Sequence, residues 1–205
     1  MQIVLLPIGW HSSEFEDYTT TIVSPLIQRL SKIFGYKAHI NNGLLQSPSD
    51  SFQSSPSSSS IRTIPPIRLF DKARKQWISD NLLDWLLESN NPDSTTKVLA
   101  ICDFDAYSDE LNFVFGQAQL GGRVAAIYLH RLRDQLYVCR SDENNNNLFE
   151  QRVIKEAVHE LGHTFGLRHC QISKCVMHFS NLLLDTDFKD DKFCGRCSKI
   201  LKQSI

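Results

Sequence analysis

The run HELGHTFGLRH, from His159 to His169, constrains the fold of this chain more than any other stretch. Residues 151–158 before it are mostly helix formers with apolar side chains at helical spacing, so we expect His159 to lie on a helix. Four residues make just over one helical turn, so His159 and His163 project from the same face, about 6 Å apart along the axis. Two imidazoles in this arrangement can bind one tetrahedral zinc ion, with Glu160 beside it as a base for the attacking water.

His169 requires the helix to end before it. In a continued helix, His169 would lie about 600° round from His163, roughly a third of a turn away from the metal-binding face. Gly166 can end the helix because glycine adopts the left-handed C-cap conformation without a Cβ penalty. His169 then approaches as the third protein ligand. The fourth position stays open, which is typical of a catalytic rather than a structural zinc site.

Four cysteines follow in two close pairs, Cys170 with Cys175 and Cys194 with Cys197. These spacings suit a closed zinc site with four thiolate ligands. In a secreted chain the same residues could form disulfides, but the N-terminal sequence has neither the basic region nor the long apolar run of a signal peptide. We therefore favour zinc, and expect two zinc ions per chain, one catalytic and one structural.

These motifs together resemble the archaemetzincin family of zinc-dependent metalloproteases, which belongs to the metzincin clan. The resemblance rests on the run HELGHTFGLRHC, on Cys175, on Met177 two residues later and on the distal FCGRC. It implies that Met177 lies in the methionine turn that underlies the catalytic metal in metzincins. It also implies a peptidase that hydrolyses peptide bonds with zinc at the three histidines and with Glu160 as the general base.

The segment LNFVFGQA, residues 111–118, resembles a second stretch of the same family. In metzincins a strand at this place lies antiparallel at the sheet edge, above the metal cleft. Phe113, Val114, Phe115 and Gly116 are therefore candidates for a substrate-binding edge strand, because an unpaired edge can bind an extended peptide through main-chain hydrogen bonds. The alternative is an ordinary edge strand without a substrate role.

The beginning of the chain predicts a parallel sheet. Residues 3–7 and 36–40 have the pattern of strands, and residues 20–34 have that of a helix that ends at Gly35. A strand, helix, strand unit of this kind is typical of parallel sheets. With the resemblance, we expect an α/β fold (mixed α+β). It would have a metzincin-like mixed twisted sheet with an antiparallel edge strand, an active-site helix and a small zinc-bound C-terminal subdomain.

At 205 residues the chain is long enough for one well-buried core, so we expect a single metzincin-like catalytic domain, 1–205. Residues 1–166 would form an N-terminal subdomain with the active-site helix. Residues 167–205 would form a C-terminal subdomain with the methionine turn and the four-cysteine site. Residues 41–60 are rich in serine and predict a flexible insert, because they cannot bury enough apolar surface to become ordered.

Four further segments have residue patterns that predict their secondary structure. These are a helix at 69–88, strands at 98–102 and 123–132, and a polar loop at 141–147 before the active-site helix. Trp77 and Trp85 lie in the apolar stripe of the predicted helix and are interpreted as core residues. The fragment Arg74-x-Gln76-Trp77 is similar to another family stretch, and its chemical role is not evident from sequence.

Several polar side chains have two interpretations. Asp103 and Asp105 follow a predicted strand and could act as an acid and a base, but turn formation explains them more simply. His130 could be a further metal ligand, although the three histidines already complete the set. Cys102 and Cys139 lie in apolar stretches of the sequence, so we expect both to be buried free thiols.

The charge balance excludes some partners. A net charge of -1 gives no large basic field, so neither nucleic acid nor an anionic membrane is an expected partner. No stretch approaches the roughly 20 apolar residues of a membrane span. We expect a cytoplasmic monomer with a peptide or protein substrate. Two other functions remain open: a zinc-binding scaffold without proteolytic activity, and hydrolysis of small amides or an aminopeptidase action.

Overall fold

The structure, a computed structural model, describes residues 1–9, 19–41, 65–109, 111–133 and 143–204. The predicted serine-rich insert lies outside the described residues apart from Asn41, and so does Cys139. The described strands are β1 (Gln2–Ile8), β2 (Lys37–Ile40), β3 (Phe70–Asp71), β4 (Gln76–Ile78), β5 (Thr96–Cys102), β6 (Ala106–Tyr107), β7 (Gly116–Ala118) and β8 (Val124–Tyr128). The described α-helices are α1 (Ser24–Phe34), α2 (Ser79–Asn90), α3 (Leu129–Leu132), α4 (Glu143–Thr164), α5 (Leu183–Phe188) and α6 (Gly195–Ser204).

Five strands form the main sheet in the order β2-β1-β5-β8-β7. The first four are parallel, and β7 runs antiparallel to β8 at the edge. A small second sheet has the order β3-β4-β6. The predicted α/β fold with a parallel opening and an antiparallel edge strand is confirmed.

Helices cover both faces of the main sheet, so β1, β5 and β8 are buried almost throughout. Alternate side chains of each strand point to opposite faces. On β1, Ile3 and Leu5 pack with α1 and α4, whereas Val4 and Leu6 pack with α2. This arrangement holds α4 against the sheet beside its antiparallel edge.

The predicted helix at 69–88 begins later than expected. Trp77 and Ile78 lie in β4, and α2 begins only at Ser79. Trp77 pairs with Phe70 of β3, and its ring packs 4.9 Å from the ring of Phe104. These tertiary contacts outweigh the helical spacing of the apolar residues.

Two other element boundaries were predicted wrongly. The strand predicted at 123–132 ends at Tyr128, and the next four residues form the single turn α3, which buries Leu129 and Leu132 at helical spacing. The loop predicted at 141–147 is helical from Glu143 onward, because α4 extends back through the asparagines. Within this extension, Gln151 donates a hydrogen bond of 2.7 Å to the side chain of Asn147 one turn earlier.

Helices in the described part of the chain are too short or too polar to cross a membrane. The cytoplasmic location stays a prediction.

Candidate active site

The last turns of α4 carry His159 and His163, whose rings are oriented by backbone carbonyls. Nδ1 of His159 donates a hydrogen bond of 2.7 Å to the carbonyl of Val176, and Nδ1 of His163 donates one of 2.7 Å to the carbonyl of Leu167. A carbonyl can only accept, so each Nδ1 carries the proton and each Nε2 keeps a free lone pair. The two Nε2 atoms lie 3.1 Å apart. This is close to the ligand separation expected around a tetrahedral zinc with Zn–N distances of about 2.0–2.1 Å.

A Schellman motif ends α4 and returns the chain towards these rings. Gly166 has φ of 87°, its N–H binds the carbonyl of His163 at 2.8 Å, and the N–H of Leu167 binds the carbonyl of Gly162 at 3.1 Å. The turn brings His169 beside the helix. The candidate ligand atoms of all three histidines lie within 4.8 Å of one another. The structure therefore brings together the three predicted ligands, and ends the helix at the predicted glycine.

Burial keeps the three imidazoles neutral. It lowers the pKa of His159 well below its ordinary value and the pKa of His163 to about 4. Partial burial also lowers the pKa of His169. Neutral imidazoles are the form that binds zinc, so the donor set fits this metal.

Glu160 lies buried on α4, directly beneath the edge strand β7. A Cβ atom built on Gly116 would come within 2.5 Å of Cγ and 2.7 Å of Oε1 of Glu160. The glycine thus leaves the space that the carboxyl group occupies. Burial raises the pKa of Glu160 well above its ordinary value, and the nearby Glu156 carboxylate raises it further. A raised pKa suits a group that exchanges protons near neutral pH.

The substitution Gly116→Ala tests this close approach. The added Cβ would displace the Glu160 carboxyl group, and a shift of about 1 Å at a reacting group can lower the rate about 100-fold. We expect a fall in kcat of that order with the zinc content unchanged. The matched control is Gly195→Ala, because an added Cβ there meets nothing within 4 Å. Equal kcat in the two variants would show that the glycine does not position Glu160.

The histidines and Glu160 open into a cleft of about 550 Å³, a size typical of ligand sites. Residues 111–118 form much of one wall, α4 lies along the floor, and residues 179–181 line the other side. Of the predicted edge-strand residues, Gly116 lies in β7, whereas Phe113, Val114 and Phe115 precede it. The N–H of Val114 donates a hydrogen bond of 3.0 Å to the carbonyl of Ala106 in the small sheet. This segment therefore crosses from one sheet to the other instead of extending β7. All four predicted residues nevertheless line the cleft.

A polar network holds this wall in place. Gln76 is buried, and its amide donates hydrogen bonds of 3.1 Å to the backbone carbonyl of Asn112 and to the carboxylate of Asp105. Arg131 forms two hydrogen bonds with Asp105, of 2.9 and 2.7 Å, and its guanidinium lies 4.8 Å from the ring centre of Phe113. Gln76, whose motif had no evident role in the sequence, thus supports the cleft wall. Asp105 serves the same structural purpose.

The other polar candidates take no part in the cleft. Asp103 pairs with Arg133, and His130 is exposed. Cys102 is a buried free thiol, as predicted.

Met177 is fully buried and packs against α4 at Gly162. A Cβ atom at Gly162 would lie 2.5 Å from the Met177 sulfur, so only glycine allows this contact. The backbone carbonyl of Met177 accepts a hydrogen bond of 2.8 Å from Cys170, which follows His169. The methionine segment therefore supports both the helix and the returning chain. Sequence reasoning missed Gly162, because only the folded structure shows the sulfur beside it.

The four predicted cysteines converge on one point. Their sulfur atoms lie within 4.8 Å of one another, and all four are free thiols. The sulfur atoms of Cys170 and Cys194 are 3.8 Å apart, too far for a disulfide of about 2.05 Å. The structure forms no disulfide among these four cysteines, and zinc binding by them stays a prediction. Backbone hydrogen bonding from Cys197 lowers the pKa of Cys194 to about 7, which favours its thiolate, whereas burial raises the pKa of Cys175 and of Cys197.

A buried ion pair that sequence reasoning missed joins α4 to the segment after α5. The ammonium of Lys189, fully buried, lies 2.9 Å from the carboxylate of Glu156, which also accepts a hydrogen bond of 3.1 Å from Thr186. Glu156 lines the cleft. The two partners are distant in sequence, so no periodic pattern marks them.

Comparisons with known proteins agree with this geometry. The profile of the family described as "Peptidase family M54" matches residues 49–203, which contain all seven candidate metal ligands. An archaemetzincin from Pyrococcus abyssi is 40% identical over 136 residues, which are 66% of this chain and 71% of that protein. One from Methanocaldococcus jannaschii is 41% identical over 137 residues, 67% of this chain and 72% of its own length. The crystal structure of archaemetzincin from Methanopyrus kandleri superposes with a TM-score of 0.74 at 30% identity, covering 100% of this chain and 94% of that one.

Proposed function

Because the chain belongs to peptidase family M54 and is a zinc metallopeptidase of the archaemetzincin type, we propose that it hydrolyses peptide bonds with Glu160 as the general base. One observation carries this proposal. The buried carboxyl group of Glu160 and three neutral histidines, His159, His163 and His169, meet in one cleft of about 550 Å³.

We propose two zinc sites. His159, His163 and His169 would hold the catalytic ion, and the four cysteines Cys170, Cys175, Cys194 and Cys197 would hold a structural one. When bound, the catalytic zinc supplies Lewis-acid chemistry, since it polarises the scissile carbonyl and makes the attacking water more acidic.

The chain's own residues perform the remaining steps. The edge of β7 aligns the extended peptide through main-chain hydrogen bonds. The Glu160 carboxylate takes a proton from the water that attacks the carbonyl carbon. It then passes the proton to the amine nitrogen as the C–N bond breaks. Met177 is buried against Gly162 and gives α4 an apolar support.

We propose that the two parts of the chain contribute different elements of the active site. Residues 1–166 supply the sheet, α4 and two of the histidines. Residues 167–205 supply the third histidine, the methionine segment and the four cysteines. The structural zinc would then fix the position of His169 and of Met177, which lie next to its ligands in sequence.

Turnover of a peptide library tests this function. We expect cleavage by the zinc-loaded protein and loss of cleavage on chelation. Peptides with blocked N-termini separate endopeptidase from aminopeptidase action, because an aminopeptidase needs the free amine. If no peptide or small amide were cleaved with both sites loaded, the scaffold alternative would replace the peptidase mechanism.

A further inference from the structure

Arg168 lies in the wall of the cleft, immediately before His169. Backbone hydrogen bonds hold the chain on both sides of Arg168. The carbonyl of Leu167 accepts the hydrogen bond from His163, and the N–H of Cys170 binds Met177. The side chain of Arg168 is exposed, and the residue lines the cleft in which a peptide would lie.

The described part of the chain provides no partner for the charge of Arg168. Among the described residues it has no hydrogen bond, ion pair or ring contact. The other charged side chains that line the described cleft are Glu156, which pairs with the buried Lys189, and Glu160, which lies buried under Gly116.

Most other described arginines have a partner. Carboxylates bind Arg29, Arg131, Arg133 and Arg152, a backbone carbonyl binds Arg123, and the Tyr107 ring stacks with Arg74. Arg68 and Arg196 have no such contact with any described residue, and neither lines the cleft. Arg168 therefore combines an unpaired guanidinium with a place beside the candidate metal ligands.

We propose that Arg168 binds a carboxylate of the peptide substrate close to the scissile bond, so that the cleft prefers acidic peptides. A guanidinium matches a carboxylate through two parallel hydrogen bonds, and this geometry selects it over an amide. The carboxylate can come from an Asp or Glu side chain or from the C-terminus of the peptide. This inference rests on the proposed function, since it assumes that the cleft holds a peptide.

The size of the preference follows from the exposure of Arg168. Exposed ion pairs contribute little, so we expect about a fivefold difference in kcat/KM between peptides that differ only by Glu and Gln. The preference should weaken at about 1 M salt, where the screening length falls to about 3 Å.

The experiment uses zinc-loaded protein and a peptide series in which one Glu moves stepwise along both sides of the cleavage site, each peptide paired with its Gln counterpart. In the wild type we expect a Glu preference at one or two adjacent positions. In Arg168→Gln the Glu to Gln ratio should fall to about one, and Arg168→Glu should prefer Lys over Gln at the same positions. Arg68→Gln removes the same charge outside the cleft and should keep the wild-type ratio.

A second arm separates the two sources of the carboxylate. Peptides with a free C-terminus are compared with their C-terminal amides. A preference confined to the free acid would identify the chain terminus, and a preference that persists in the amides would identify the acidic side chain. Equal Glu to Gln ratios in the wild type and Arg168→Gln, with no effect of amidation, would overturn the proposal.

Binding measurements keep this test separate from the peptidase mechanism. Fluorescence anisotropy of labelled Glu and Gln peptides is measured with Glu160→Gln and with the double variant Glu160→Gln/Arg168→Gln. We expect tighter binding of the Glu peptide only when Arg168 is present. If peptides bind with this preference but are never cleaved, the peptidase function fails and the carboxylate site stands. If peptides are cleaved but the Glu peptide binds no more tightly than the Gln peptide, the carboxylate site is ruled out and the peptidase function stands.

Discussion

Replacing Glu160 by glutamine should lower peptide turnover by about 10²–10⁴-fold, the contribution usual for a general base. The glutamine side chain has nearly the same shape but cannot take a proton from the attacking water. Burial penalises the charged carboxylate of Glu160, as the direction of its pKa shift reflects, so a neutral amide should fit without loss of folding stability. The loss should therefore appear in kcat, with the zinc content and the melting temperature unchanged.

The measurement is kcat and KM for one cleaved peptide, with zinc quantified on the same samples. Glu156→Gln is an informative comparison, because it alters a second carboxyl group that lines the cleft but leaves Glu160 in place. That variant should lose stability, since Lys189 would be left as a buried unpaired charge. Full activity in Glu160→Gln would exclude the proposed proton transfer.

Substituting Cys194 by serine should have the largest effect on stability. It removes one of four thiolates from the candidate structural site, so we expect zinc to fall from about two ions per chain to about one. Binding of structural zinc contributes directly to folding, with apparent free energies of about 10–16 kcal/mol in zinc-finger peptides. Partial loss of that contribution should lower the free energy of unfolding by several kcal/mol. Peptide turnover should also fall, because His169 and Met177 adjoin this site in sequence.

Zinc analysis and chemical denaturation check this result together. Cys102→Ala is the control, since it removes a buried thiol from the opposite side of the sheet, away from the cluster. Its zinc content should remain that of the wild type. A single zinc in the wild type, or unchanged zinc in Cys194→Ser, would contradict the two-site arrangement.

The sequence was sufficient to predict the features that depend on local spacing. His159 and His163 lie one helical turn apart, and Gly166 has the left-handed conformation that ends the helix. The close pairing of the cysteines likewise predicted that they would converge. Each of these features depends on residues close together in the chain.

The features that sequence reasoning missed, or to which it gave another role or none, depend on tertiary contacts. Gly116 and Gly162 are needed because a carboxyl group and a sulfur atom approach them from other elements. The Gln76 side chain donates a hydrogen bond to the backbone of Asn112, which lies in the cleft wall and far along the sequence. Trp77 has the spacing of a helix residue, but its partners in the small sheet place it in a strand.

A zinc titration of the metal-free protein tests the central claim most directly, with bound zinc and peptide turnover recorded at every step. The four-cysteine site should fill first, because its binding is coupled to folding. Turnover should then remain near zero until about one zinc is bound per chain and rise to its maximum at about two. Full turnover with less than one zinc bound per chain, or none with two bound, would contradict a catalytic zinc at His159, His163 and His169.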